Sequence, residues 1–411
     1  MQTNSEIKDV IIIGCGGAGC RAAIELHKAG FHPIVLSHEE RTVSKTYNAQ
    51  GGIQAAFGDG DSPELHFQDT LKAGNYKSNS KVVKALTENA VPTIKWLENV
   101  IKVPFDRIKG KLKLSNAGGL SKPRILSCKG SAGECIAKPL WKYIDDLGIE
   151  VKENTPVLSI DKREDSIFEI VTQSRNLKKV ILCRAVILAA GGSMPKEKKI
   201  GKQRSNLNIP DGLELARQIN AKIVSPSLMQ YHPTGVVSPS TLRRLRLPET
   251  MRGAGAVLKN KNFKEFTNHL ATRRELTNSI IKEIDNGQGV KTEDGYNGIW
   301  MDVPMIDITM GSGYTKSNFK KIYDAFMQLN YDITKKAVLV YPVLHYSLGG
   351  VEINEKAETS VTGLFAAGEV TWGVHGEDRL MGNSLLDIFV FGKIAGVSTS
   401  KYLQSIKITR S

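Results

Sequence analysis

The sequence predicts an α/β protein: a parallel sheet assembled from both ends of the chain, with an α+β unit inserted between them. Three observations predict it. The stretch DVIIIGCGGAGCRAAIELHKAG (9–30) reads strand, glycine turn, helix, and HPIVLS supplies the next strand. Near the other end, AVLVYPVLHYSLGG and GLFAAGEV return as apolar strands ahead of the helical stretch GNSLLDIFVFGKIAGVSTSKYLQ. Between them, from about Gly235 to Asn330, the pattern is mixed and irregular. A chain of 411 residues exceeds what one core usually spans. The expectation is a discontinuous sheet domain over residues 1–234 and 335–411, and an inserted unit over 235–334.

The remaining elements follow in order. SKVVKALTENAVPTIKWLENV (80–100) carries helical periodicity, with Ser80 at the N-cap position. AGECIAKPLWKYIDDLG is a second helix, and the strand IEVKEN follows it. SIFEIVTQ and KKVILCRAVILAAGG form a β-meander that ends on a buried strand at Gly191–Gly192, and DGLELARQIN is a further helix. The chain has no internal repeat and no low-complexity linker.

Composition narrows the function classes. The net charge is +14, but the lysines are scattered and no element joins basic residues to stacked aromatics, so nucleic acid is not an expected partner. No apolar run reaches the ~18–20 residues that cross a bilayer, and the N-terminus lacks a signal-peptide layout. The five cysteines form no CxxC pair and no metal or cluster set, which suits a reducing cytoplasm and an electron source outside this chain.

Gly14, Gly16 and Gly19 form G-x-G-x-x-G in its required setting of strand, turn and helix. The first glycine permits the turn, the second lets a pyrophosphate approach, and the third lets helix and strand pack. The helix N-terminus then offers N–H groups to the anion. A ribose-binding acid is expected ~20 residues on. Glu39 and Glu40 stand there, and Ser37 is an equally good contact. AVILAAGG and GLFAAGEV repeat the strand–small–glycine form. Three such turns fit FAD better than NAD, because the long cofactor needs separate strands for its two ends.

Several motifs, in this order, resemble the flavoprotein subunits of succinate dehydrogenase and fumarate reductase, with soluble fumarate reductases and L-aspartate oxidase as relatives. They are GGAGCRAA, NAQGGIQAAFG, LHFQDTLKAG, QYHPTG, ETMRGAGAVL, LATR, HYSLGG, GLFAAGEV and DRLMGNSLLDIFVFGKIAG. The resemblance implies a Rossmann-like FAD-binding domain with an inserted capping domain and an active site between them. It implies substrate contacts at His232, Arg252, His345 and Arg379, and catalytic roles for Arg273, Glu249, Arg252 and His232. Arg273 matches the family's proton-donating arginine by ungapped register, with Arg274 the alternative. Cofactor contacts are expected at Gly14, Gly16, Gly17, Ala18 and Gly19, at Ser37, and at Ser44, Lys45, Thr46, Gln50, Gly51 and Gly52. Further contacts are expected at Ala190, Gly191, Asp211, Glu369, Asn383, Ser384 and Leu385. A small dicarboxylate suits arginine, whose planar fork pairs with carboxylates. Taken singly, Arg273 and Arg274 would read as helix-surface cations and His345 as a core histidine.

The sequence also departs from the family. Lys45 stands where the membrane-bound enzymes carry a flavin-linking histidine, so FAD is expected to be non-covalent, and the lysine could favour a reduced, anionic flavin. A family threonine that contacts substrate is Pro248, and a phenylalanine that packs on fumarate is Ala117. The chain stops where the family continues into a helical domain, so that C-terminal domain is expected to be absent. The expected function is FAD-dependent fumarate reductase or succinate dehydrogenase. The alternatives are an L-aspartate oxidase-like enzyme and a flavin subunit without dicarboxylate chemistry. An iron–sulfur or other electron-transfer subunit is the expected partner, bringing the protein to a membrane only through that partner.

Overall fold

The computed structural model describes residues 2–3, 6–128, 131–174, 177–193 and 211–408. The first sheet is built from β1 (Lys8–Ile13), β2 (Ile34–Leu36), β3 (Glu150–Lys152), β4 (Val157–Lys162), β5 (Phe168–Ser174) and β6 (Leu177–Leu188). Their order is β4–β5–β6–β1–β2–β3. β1 reads KDVIII, and its apolar run is buried on both faces, as a central parallel strand requires. β6 changes neighbours along its length. Its first part runs antiparallel to β5, with Phe168 opposite Cys183, and its last part runs parallel to β1, with Ile187 beside Ile12.

Gly14 turns the chain from β1 into helix α1 (Gly17–Lys28) at φ 114°, in the left-handed half of backbone space. A Cβ at Gly14 would fall 2.2 Å from the Ala189 carbonyl oxygen, so the turn also packs on the end of β6. His27 and Lys28 in the last turn of α1 complement the helix dipole.

The middle of the chain forms a second sheet from β7 (Met229–Ser238), β8 (Val257–Lys259), β9 (Asn297–Asp302) and β10 (Val338–Ser347), all antiparallel in the order β7–β10–β9–β8. Helices α2 (Glu249–Gly253) and α3 (Arg273–Glu283) belong to this part. The chain then returns to the first sheet, where β11 (Leu364–Ala366) pairs in parallel with the end of β6. Helix α4 (Asn383–Ile408) closes the fold against α1. Gly392 and Gly396, one turn apart, let this contact form, because a Cβ at either would sit 2.6 Å from the carbonyl oxygen of Ala18 or Ala22.

Among the described residues, two large apolar cores and one small cluster result. The first core fills the first sheet and its helices from Val10 to Leu403, and the second draws on Val236 to Val340. Among the described residues no helix is long and apolar enough to cross a membrane.

One expected helix divides. Residues 80–100 form Ser80–Glu88 and Ala90–Asn99, parted at Asn89. Pro92 explains the break, since it has no N–H to give the Glu88 carbonyl and its ring crowds that carbonyl. The N-cap is Asn79 rather than Ser80, and its side chain accepts from the Lys81 N–H at 3.1 Å.

Candidate active site

A cavity of about 240 Å³ lies where the two sheets approach each other. One wall is the loop Lys45–Gly52, and the facing wall carries His232, Glu249, Arg273, His345 and Arg379. Residues from β7, α2, α3, β10 and the start of α4 therefore meet at one place.

Arg273 enters from the first turn of α3. Thr272 caps that helix in a reciprocal capping box with Glu275, which fixes where Arg273 points. Arg273 Nε donates to Glu249 Oε2 at 2.7 Å, and its Nη1 donates to Gln230 Oε1 at 2.9 Å. Gln230 in turn donates to Asp378 and to the Arg379 carbonyl oxygen. Glu249 also accepts from the Gly118 N–H at 3.0 Å, with Arg252 Nη2 3.6 Å away. Burial alone would raise the Glu249 pKa, but the charges of Arg273 and Arg252 outweigh it and hold the carboxyl below its ordinary value. The pair is thus a buried, ionised carboxylate between two guanidiniums. Arg274 turns outward instead and pairs with Glu377.

The two histidines sit together, ring centroids 5.5 Å apart and edge to face. Burial, reinforced by nearby arginines, pushes both well below the ordinary imidazole pKa, so both are neutral near pH 7. Arg246 Nη1 lies 3.1 Å from His345 Nδ1. A guanidinium can only donate, so Nδ1 accepts and the neutral ring carries its proton on Nε2. His345 is therefore an N–H donor in a fixed orientation. Arg379 stacks on Tyr346, 4.4 Å from the ring centroid, and its Nη1 donates to Ser384 Oγ at 3.2 Å. Its Nε is buried with no hydrogen-bond partner among the described residues. Burial, joined by the charge of Arg273, lowers its pKa to about 10.

The residues fit FAD. Gly51, Gly52 and Gly382 give the cavity a backbone wall against which a flat ring system can lie, and the buried Arg379 Nε has no hydrogen-bond partner among the described residues, a donor that a bound group's acceptor would satisfy. Thr46 ties the loop to the glycine turn, because its hydroxyl accepts from the Gly17 N–H at 3.0 Å. Lys45 Nζ lies 2.8 Å from Glu369, which also accepts from the Ser347 N–H. The lysine charge expected beside the flavin is therefore paired.

Of the residues expected at the site, Lys45, Thr46, Gln50, Gly51, Gly52, His232, Glu249, Arg273, His345, Glu369, Arg379, Ser384 and Leu385 line the cavity. Gly14, Gly16, Gly17, Ala18, Gly19, Ala190 and Gly191 lie outside its lining, at the glycine turn and the end of β6. Five others lie outside the lining and make hydrogen bonds within the protein. Arg252 lies fully buried behind Glu249, away from the cavity, and donates to the His269 carbonyl oxygen. Ser37 donates to the Glu39 carbonyl oxygen at 2.6 Å, and Ser44 Oγ accepts from the Tyr47 N–H. Asp211 caps the helix Gly212–Gln218. Asn383 binds Gln54, His66 and Thr70, drawing two segments to the start of α4.

Arg246, Gln230, Asp378 and Tyr346 carry no site role in the sequence reading. Arg246 was findable only as one of three arginines clustered at 243, 244 and 246, just ahead of the ETMRG motif. The others lie inside recognised motifs, but only the fold shows that Gln230 joins Arg273 to Asp378. Pro248 lines the cavity, and Ala117 packs with Ile125 and Met381.

The chain matches the family described as FAD binding domain over residues 9–385. It is 32% identical to one subunit of the fumarate reductase (CoM/CoB) of Methanothermobacter marburgensis, over 97% of this chain and 73% of that one. It is 30% identical to L-aspartate oxidase of Clostridium acetobutylicum, over 97% of this chain and 89% of that one. Its fold is similar to that of a point variant of the E. coli quinol fumarate reductase FrdA, with a TM-score of 0.86 and 26% identity, over 99% of this chain and 72% of that one.

Proposed function

The chain belongs to the FAD-binding family that includes the flavoprotein subunits of fumarate reductase and succinate dehydrogenase with L-aspartate oxidase, and from that premise we propose that this FAD-dependent oxidoreductase interconverts a C4 dicarboxylate pair, fumarate and succinate. The observation that carries the reading is Arg273, held by buried Glu249 and Gln230 at a cavity wall shared with Arg379, His232 and His345.

Bound FAD supplies two-electron hydride chemistry. The chain's own residues do the rest. Arg379 clamps one carboxylate, and the neutral His345 and His232 hold the other by hydrogen bonds. His345 presents Nε2–H because Arg246 occupies Nδ1. A substrate clamped at both ends lets charge develop toward one carboxylate beside fixed positive groups. Arg273 gives its proton to the alkene carbon, and Glu249 with Arg252 behind it forms the relay that restores it. An arginine acid is unusual, since an isolated guanidinium has a pKa above ~12.

FAD is held without a covalent link, and electrons arrive from a separate electron-transfer protein. Residues 1–234 and 335–411 form the FAD-binding domain, and 235–334 cap it. A separate core supports a distinct capping unit, although that core also takes Val338 and Val340 from beyond residue 334.

L-Aspartate oxidation is the second reading, supported by the 30% identity to L-aspartate oxidase of Clostridium acetobutylicum. A panel of fumarate reduction, succinate oxidation and L-aspartate oxidation on FAD-loaded protein, with dye-linked electrons, ranks the two. Inactivity toward all three acids would overturn both.

A further inference from the structure

Arg246 belongs to two cavities. Beyond the inner one it lines an outer cavity of about 560 Å³, and it is the one residue the two linings share. The β7–β10 ladder separates them. His232 and His345 line the inner cavity, while their strand neighbours Tyr231 and Leu344 line the outer one. Successive strand residues point to opposite faces, which accounts for the division.

Among the described residues the outer lining holds three arginines and no carboxylate. Arg243 lies with its Cζ 3.8 Å from the Tyr296 ring centroid and donates to Asp294 at its edge. Arg244 is held at φ 73°, a left-handed backbone that an arginine rarely adopts, by its N–H to the Val236 carbonyl oxygen at 2.8 Å. Three tyrosines complete the surface, with Tyr231 45%, Tyr296 48% and Tyr341 37% exposed. Large aromatic rings left this open, in a concavity within the ~300–1,000 Å³ of small-molecule sites, are a feature of binding surfaces.

We propose that the outer cavity is a second ligand site, which takes a planar aromatic ring carrying a phosphate or carboxylate. The arginine forks recognise the anion, and the tyrosine faces take the ring. A nucleoside monophosphate has this chemistry.

The test uses FAD-loaded protein, so that the cofactor occupies its own nucleotide-binding groove. Adenosine monophosphate, adenosine and inorganic phosphate are each titrated by calorimetry. Adenosine monophosphate is expected to bind one per chain, at least about tenfold tighter than either part. Arg243→Gln should weaken it about tenfold and Tyr296→Ala about threefold or more, with FAD content unchanged. Either variant alone suffices if the other loses its flavin. No binding of adenosine monophosphate, binding no tighter than phosphate or adenosine, or unchanged affinity in both variants overturns the proposal.

Discussion

Arg273 Nε lies 2.7 Å from Glu249 Oε2, and both side chains are almost wholly buried. Its sequence neighbour Arg274 faces solvent and pairs with Glu377. One step along α3 therefore separates a cation aimed into the cavity from a surface one.

Arg273→Gln should lower fumarate reduction about 10²- to 10⁴-fold, the usual range for a lost proton donor, while FAD stays bound. Arg274→Gln should leave the rate within about twofold, because a surface ion pair contributes ~0–1 kcal/mol. Steady-state rates with flavin absorbance on both variants check this. The opposite ranking would move the proton donor to Arg274.

Glu249→Leu should destabilise the protein by roughly 3–5 kcal/mol, since it leaves buried Arg273 and Arg252 without their shared carboxylate. Glu249→Gln keeps an acceptor for the Gly118 N–H and should cost less. Urea unfolding of the three proteins measures both differences, and equal stability of Glu249→Leu and the parent would refute the argument.

Arg246→Met should raise KM for the dicarboxylate about tenfold more than it lowers kcat. The change frees the His345 tautomer and removes one positive charge, but leaves the proton donor in place. Kinetics across substrate concentration separate the two constants.

Acid should weaken the fold through its buried imidazoles. Burial lowers His66 to about 4 and pushes His232 and His345 well down. An unfolded histidine takes up a proton below ~6.5 while these folded ones resist it, so the unfolded state binds more protons there. Their contribution is intact above pH ~6.5 and is lost as pH falls through about 4, with His66 alone contributing about 3 kcal/mol. Thermal melts between pH 7 and 4 should show a falling Tm, and His66→Asn should flatten part of the slope.

All the yellow colour should leave with the supernatant when the FAD-loaded protein is precipitated by acid. Flavin retained on the pellet would contradict the non-covalent reading of Lys45.

The legible parts of this fold were those set by local chemistry. KDVIII and the glycine turn announce β1 and α1, because a β-branched run and a glycine with positive φ each admit few alternatives. Arg273, Glu249, His232 and His345 were found through motif positions, since neither burial nor pairing can be read from a single residue. Arg252 shows the limit of that approach. Its place in the motif is the expected one, yet the short helix α2 turns it behind Glu249 rather than into the cavity. The break at Asn89 was readable from Pro92. The part played by Gln230 was not, because its partners lie at 273 and 378, far away along the chain.

The contact between α1 and α4 sets a timetable for synthesis. Ala18 and Ala22 are made about 370 residues before Gly392 and Gly396, which cover them. At ordinary ribosomal speeds the apolar face of α1 would wait roughly 20 to 70 s for its partner. Over that interval a nascent chain presents an uncovered helix and an unfinished sheet, since β11 is also made late. Chaperone capture during translation is the natural safeguard for a domain in which helix α1 is covered by one made so much later.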